Sequence, residues 1–330
     1  MGTAAGGGMV YGALGGDCFH SALTTLSESC QIHGSFKGIL HLWMERTATA
    51  QPLFGNRETA TMYLRVLVIL LLSLTSPLSA ETLRAGGVGA ATKLLPILFA
   101  GLDPNEDVKL EVIPSLGSNG GLRALSENAI DIVVAGRPPN GEELQQGLRV
   151  VVAVRTPYML VTSRPTPQGL NSTEIADIFK APRAMWVDGS PIRIILRPKS
   201  DSDTPVLIRI FPGMAAALEA ARVRHDIPVA ATDRDNADAA ERIKDSLAGS
   251  TLTQITTERR NLRLISIDGV VPSIDALESG AYPFSKTLYF ILPAKATPAA
   301  ERFVAFIQSP TGQALLRETG NIMVAHPGRS

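Results

Sequence analysis

Cysteine is confined to the first part of this chain: its two copies are Cys18 and Cys30, and no thiol follows. That excludes a disulfide framework, a thiolate metal site and a catalytic thiol from everything after residue 80. Histidine is nearly as scarce there, with only His225 and His326. No His-Glu-x-x-His spacing and no cysteine and histidine cluster is present, so no metal, cofactor or catalytic residue is expected. Charge of one sign is lacking too, because 31 basic residues face 31 acidic ones. No stretch after Ala80 combines clustered Lys and Arg with interleaved aromatics, and no helix-turn-helix pattern precedes Leu83, so nucleic acid is not an expected partner. No internal repeat is evident.

What is present begins at Met62. Met62-Tyr63-Leu64-Arg65 leads into an apolar run over residues 66–74, too short to span a bilayer, and then into a stretch ending in the small residues Ser79-Ala80. A positive residue, a short greasy core and a small-residue end is the layout of a secretory signal peptide. The expected start is therefore Met62 and the expected mature N-terminus lies near Glu81, with residues 1–61 as upstream sequence. No cysteine stands at the cleavage point for a lipid anchor. The expectation is a free, monomeric protein in the periplasm.

About 250 residues remain, more than one core of about 100–150 residues needs, so two lobes are expected. Short apolar runs of strand length alternate with amphipathic stretches of helical length, the pattern of an α/β fold. Strands are expected over 83–85, 108–113, 130–135, 150–154, 158–162, 192–196, 262–267 and 287–292. A helix is expected over 215–225, another from Thr297-Pro298, and a last one from Pro310 that stops at Gly320.

Three places share one layout: a strand ends, a turn of small residues follows, and a helix begins. They are Gly86-Gly87-Val88-Gly89-Ala90-Ala91-Thr92, then Gly117-Ser118-Asn119-Gly120-Gly121, then Arg197-Pro198-Lys199-Ser200-Asp201-Ser202-Asp203-Thr204. Each leaves unpaired backbone N–H groups at a helix N-terminus, where the helix dipole adds positive potential. Such a place binds anions. Glycine permits close approach of a ligand, a Ser or Thr hydroxyl adds a donor, and Arg197 adds a planar fork. The plain alternative at each turn is that these residues only cap the helix and shape the turn.

At these residues the chain resembles the periplasmic phosphate-binding proteins of ABC transporters, of the type II periplasmic binding fold, over residues 83–324. The resemblance is carried by the Gly117 to Gly121 turn, by Asp131-Ile132-Val133-Val134-Ala135-Gly136-Arg137-Pro138, and by Tyr282-Pro283-Phe284-Ser285 through Phe303, Phe306, Ser309 and Gly312-Gln313. It implies two α/β lobes, each a mixed sheet flanked by helices, with the ligand cleft between them. Lobe 1 would be residues 81–157 plus 284–330, and lobe 2 residues 158–283. It also implies a small, phosphate-like oxyanion held by Ala91 and Thr92, by Ser118, Asn119 and Gly120, by Gly136 and Arg137, and by Arg197, Ser202, Asp203 and Thr204. An inner-membrane ABC permease would receive the closed form.

Two positions depart from the family pattern. Gly136 stands where the phosphate binders carry an aspartate that accepts the proton of hydrogen phosphate, and Asp203 stands where they carry glycine. The first removes the means of preferring a protonated oxyanion; the second repels an anion unless it caps the helix or pairs with Lys199 or Arg197. The third turn is also one residue longer here. These departures keep a second reading open, a periplasmic sensor or scaffold of the same fold with weak or no anion binding. An enzyme is a third reading, since Asp201 with Asp203 and Asp233 with Asp235 could pair for acid–base work. Against it, turn and cap roles account for those residues. Arg259, Arg260 and Arg263 read as a solvated basic face, and Arg197→Ala is expected to weaken binding while leaving the fold intact.

Overall fold

The computed structural model describes residues 81–102 and 107–324. The expected leader over 62–80, and His326, lie outside the described residues.

Lobe 1 opens with strand and helix in alternation: β1 (Glu81–Gly87), α1 (Ala91–Phe99), β2 (Val108–Ile113), α2 (Gly117–Ser126) and β3 (Ile132–Ala135). β1 lies between β2 and β3 and is parallel to both, with Leu83 opposite Leu110 and Gly86 opposite Val133. Parallel neighbours need a crossover, which α1 and α2 supply. A short helix, α3 (Gly141–Gln145), then leads into β4 (Arg149–Thr162), the strand that joins the lobes.

Lobe 2 comprises α4 (Ile175–Lys180), β5 (Arg193–Ile194), α5 (Asp203–Ile210), α6 (Met214–Arg222), α7 (Asp233–Arg242), β6 (Ser246–Thr251), α8 (Leu252–Glu258), β7 (Arg263–Leu264) and α9 (Ile274–Glu278). The chain returns along β8 (Ser285–Leu292) and closes with α10 (Pro298–Gln308), α11 (Pro310–Glu318) and β9 (Ile322–Met323). The strand order is β2-β1-β3-β8-β4-β6-β5, with β7 and β9 also pairing β4.

The strands expected over 150–154 and 158–162 are two halves of β4. Pro157 lies between those halves, although proline cannot donate to a ladder and is rare inside a central strand. Here it stands at a change of partner: β8 pairs with β4 as far as Pro157, opposite Ser285, and β6 takes over from Tyr158, opposite Thr251. β6 itself was not expected. Its sequence, Ser-Leu-Ala-Gly-Ser-Thr, is small and polar, the opposite of strand-favouring composition.

Period-2 alternation gives each half of the sheet two buried faces. In lobe 1, Leu288, Phe290 and Leu292 face Leu83, Leu94, Phe303 and Ile307, while Ile291 faces Leu122, Leu125 and Val133. In lobe 2, Tyr158 and Leu160 pack with Phe179, Trp186, Phe211 and Leu247, while Met159 and Val161 pack with Ile195, Ala240 and Ala248. The closing helices start and stop where proline and glycine placed them: Thr297 accepts from the Ala300 amide ahead of Pro298, and Gly320 takes φ 82° just after α11. Among the described residues no helix is long and apolar enough to cross a membrane.

Candidate functional site

The start of α1 is the first element of the site. Ala91 and Thr92 donate their amides to Val88 and Gly89 carbonyls at 2.9 and 3.0 Å, inside the turn. The Gly89 amide points outward instead, and α1 has no side-chain cap of its own. Its partner comes from the other lobe: Asp233 Oδ2 accepts from Gly89 N at 2.7 Å. Asp233 opens α7, whose own cap is a reciprocal pair between Thr232 and Asp235. Its carboxylate is thus free to reach away from its helix.

Asp233 Oδ1 takes Arg197 Nη2 at 2.8 Å, and the same nitrogen donates to Asp201 Oδ2 at 2.6 Å. Arg197 Nη1 donates to the Ala230 carbonyl at 2.6 Å, and the side chain is 6% exposed. Its Nε is buried without a hydrogen-bond partner. The third turn is satisfied from within, since Asp201 Oδ1 accepts from the Asp203 amide at 2.9 Å and Thr204 Oγ1 donates to the Pro198 carbonyl at 3.0 Å. Lys199 pairs with Glu219 on the surface.

Ser118, Gly136, Ser202 and Asp203 meet around a residue the sequence reading passed over, Lys286. The Gly136 amide donates to Ser118 Oγ at 2.9 Å. A Cβ at Gly136 would lie 2.6 Å from Ser202 Oγ and 2.8 Å from Lys286 Cε. Lys286 Nζ donates to Ser202 Oγ at 3.0 Å and forms an ion pair with the Asp203 carboxylate. The two departures noted in the sequence therefore have one cause. Gly136 leaves room for the lysine, and Asp203 neutralises it, so Asp203 pairs with neither Lys199 nor Arg197. A signal for Lys286 was available: it is in step with Leu288 and Phe290 on the inward face of an alternating strand, where a charge needs a partner.

Other residues implied by the resemblance lie apart from this cluster. Arg137 grips Glu143 with two bonds of 2.8 Å and donates to Asn119 Oδ1 at 2.9 Å. That bidentate pair raises the Arg137 pKa and lowers that of Glu143. Gly120 sits in the first turn of α2, and His225 is exposed.

Beside the Gly89–Asp233 contact lies a cavity of about 350 Å³, lined by Gly89, Thr92 and Lys93 at the start of α1, by Ser115 and Gly117 at the start of α2, and by Thr232, Asp233 and Arg234 at the start of α7. Arg197, Asp201, Glu258 and Arg260 also line it. The first two helix starts were expected, whereas α7 takes the place foreseen for α5. Arg260 is 13% exposed and pairs with Glu258, Asp238 and Glu241, so it belongs to this wall and not to a solvated basic face. Asp201 and Asp233 share Arg197. Lys93 and Arg234 are exposed and have no ion-pair partner among the described residues.

Carboxylate oxygens of Asp201, Asp203 and Asp233 lie within 4.8 Å of one another, with Arg197 and Lys286 paired among them. A metal ion at this place would meet those two side-chain cations. Three acids against two bases leave one excess negative charge. Burial, then Asp203, pushes the Asp201 pKa up. Burial opposes the charge on Lys286, but Asp203, Asp233 and Asp201 outweigh it and raise its pKa. Burial, followed by the same carboxylates, raises that of Tyr158, whose hydroxyl packs on Gly249 with no hydrogen-bond partner.

The Asp201 shift has a testable sign. With its folded pKa above the unfolded value of 3.8, the folded chain binds a proton that the unfolded chain releases in that window, so this group's contribution falls as pH rises. Asp201→Asn abolishes that term. Urea midpoints for wild type and variant should therefore diverge in the variant's favour as pH rises above the unfolded value of 3.8; a constant difference would contradict the assignment.

Comparison with known proteins places this geometry in a family. A family model described as a PBP superfamily domain matches residues 75–311, and the chain belongs to that superfamily. Its fold is similar to that of a protein assigned as a phosphate ABC transporter substrate-binding protein with bound phosphate, from Clostridium perfringens, with a TM-score of 0.63 at 18% identity over 74% of this chain and 100% of that one. A phosphate-binding protein from Stenotrophomonas maltophilia gives 0.55 at 14% identity, covering 74% and 91%. A reduced form of OxyR from N. meningitidis gives 0.51 at 11%, covering 74% and 99%. At these identities the likeness shows the fold, which is phosphate-binding-protein-like. No curated protein matches.

Proposed function

We propose that this chain is an exported, two-lobe binding protein that takes a small anionic solute in its interlobe cavity and presents the closed form to an inner-membrane ABC permease. The observation that carries the reading is the cavity itself. Three helix N-termini open onto it, and Lys93 and Arg234 supply cations that no carboxylate among the described residues answers. Its size favours an organic anion bearing one or two carboxylate or phosphate groups. A volume of about 350 Å³ falls in the range of small-molecule sites and holds on the order of ten water volumes, of which one tetrahedral oxyanion fills a fraction. Lining residues come from both lobes, so a bound anion favours the closed arrangement by population shift. The partner changes at Pro157 of β4 and Ser285 of β8 are the hinge in this reading. Periplasmic location rests on the leader read over residues 62–80.

Calorimetric titration of the purified protein with phosphate, sulfate, molybdate, tungstate and small di- and tricarboxylates tests this. One of the organic anions should bind saturably, and Lys93→Ala and Arg234→Ala should each weaken it about three- to tenfold. Those figures correspond to an exposed charge contact of about 0.7–1.4 kcal/mol. Silence from every anion would favour the second reading, a sensor or scaffold that keeps the fold without tight binding. That reading has its own support in the carboxylates of Asp203 and Asp233, which lie among the turns expected to hold phosphate.

A further inference from the structure

We propose that Asp233 is a specificity-determining residue of the cleft: its carboxylate takes the outward donor at the start of α1 and thereby excludes free phosphate and sulfate. This rests on reading the cleft as an anion-binding site. Four observations carry it. The Gly89 amide is the outward donor of a nine-residue helix without a side-chain cap, and Asp233 Oδ2 lies 2.7 Å from it. Glycine is what permits that approach, since a Cβ at residue 89 would lie 2.7 Å from the same oxygen. Asp233 has no capping duty on its own helix, because Thr232 and Asp235 perform it.

The fourth observation concerns Arg197. Its Nη2 meets Asp233, but its Nε, on a side chain 6% exposed, has no partner. A guanidinium facing a tetrahedral oxyanion uses Nε and Nη2 together as a fork. One Asp233 oxygen meets Nη2, which Asp201 also takes, and the other is turned to Gly89 N, so Nε is the donor left over. The donor set therefore matches an acceptor with more oxygens than the carboxylate now filling it. Because Asp233 is tethered in the same chain, its effective concentration exceeds that of millimolar free anion, and a competing oxyanion must displace it.

Titration of phosphate and sulfate into wild type, Asp233→Ala and Asp233→Asn, each checked for folding by thermal melt, tests the proposal. Wild type should be indifferent at low millimolar anion, Asp233→Ala should bind at least tenfold more tightly, and Asp233→Asn should fall between. An Asp233→Ala protein that folds yet gains nothing overturns the proposal, as does micromolar phosphate binding by wild type. If Asp233→Ala does not fold, Asp233→Asn decides, and an affinity equal to wild type overturns it. These results are separable from the broader reading: failure of every organic anion to bind wild type would sink that reading and leave the gain in the variants unaffected.

Discussion

Lys286→Met should lower the folding stability by about 3–5 kcal/mol, the scale of breaking a buried ion pair by removing one partner. Lys286 is 2% exposed and Asp203 4%, and the ammonium also donates to Ser202 Oγ. Methionine fills similar volume but leaves the Asp203 carboxylate buried beside Asp201 and Asp233. The loss should therefore be electrostatic rather than steric. Adding Asp203→Leu to Lys286→Met should restore most of it, because replacing both partners with apolar groups removes the stranded charge. A urea series on the two single variants and the double variant gives the coupling directly. The folded pKa of Lys286 is raised, so its contribution is complete at neutral pH and below and is lost only as pH climbs through that raised value. A single-variant loss under about 1 kcal/mol would mean the pair is solvated and worth no more than a surface bridge.

Arg197→Ala should cost a similar amount, about 3–5 kcal/mol, since it strands two carboxylates at once and frees the Ala230 carbonyl. On a folded unit of this size that corresponds to a melting-temperature drop on the order of 10 °C. The sequence-based expectation was a binding defect in an intact fold. The structure revises it, because Arg197 is committed to Asp201 and Asp233 before any solute arrives. Arg197→Lys should recover part of the loss: a lysine can neutralise one aspartate but cannot reach two aspartates and a carbonyl in one plane. A melt within a degree or two of wild type would show that these partners are dispensable.

Much of the architecture could be read from the chain because local patterns carry it. Short apolar runs marked β2, β3 and β8, and Thr297-Pro298 and Gly320 marked helix ends. That the strands expected over 150–154 and 158–162 run on as one through Pro157 was not legible, because the cost of a proline depends on which strand lies opposite, a nonlocal fact. β6 was illegible because Gly249 is there to receive the Tyr158 hydroxyl, not to suit a strand. The candidate site shows the same division. The starts of α1 and α2 were visible as turns, as was the oddity of Gly136 and Asp203. Their resolution lies in Lys286, 83 residues from Asp203, and the occupant of the Gly89 amide lies 144 residues away. No spacing rule joins residues at such separations; only the closure of two lobes does.

Amide-resolved NMR of the wild-type protein, titrated separately with phosphate and with a small dicarboxylate, tests the central claim most directly. The account predicts that phosphate leaves the amides of Gly89, Ser118, Ser202 and Asp203 unmoved, while the dicarboxylate shifts Thr92, Lys93, Gly117 and Arg234 around the cavity. Saturable movement of Gly89, Ser202 and Asp203 by micromolar phosphate would contradict it, because those groups would then be open to an outside anion and not held by the protein's own side chains.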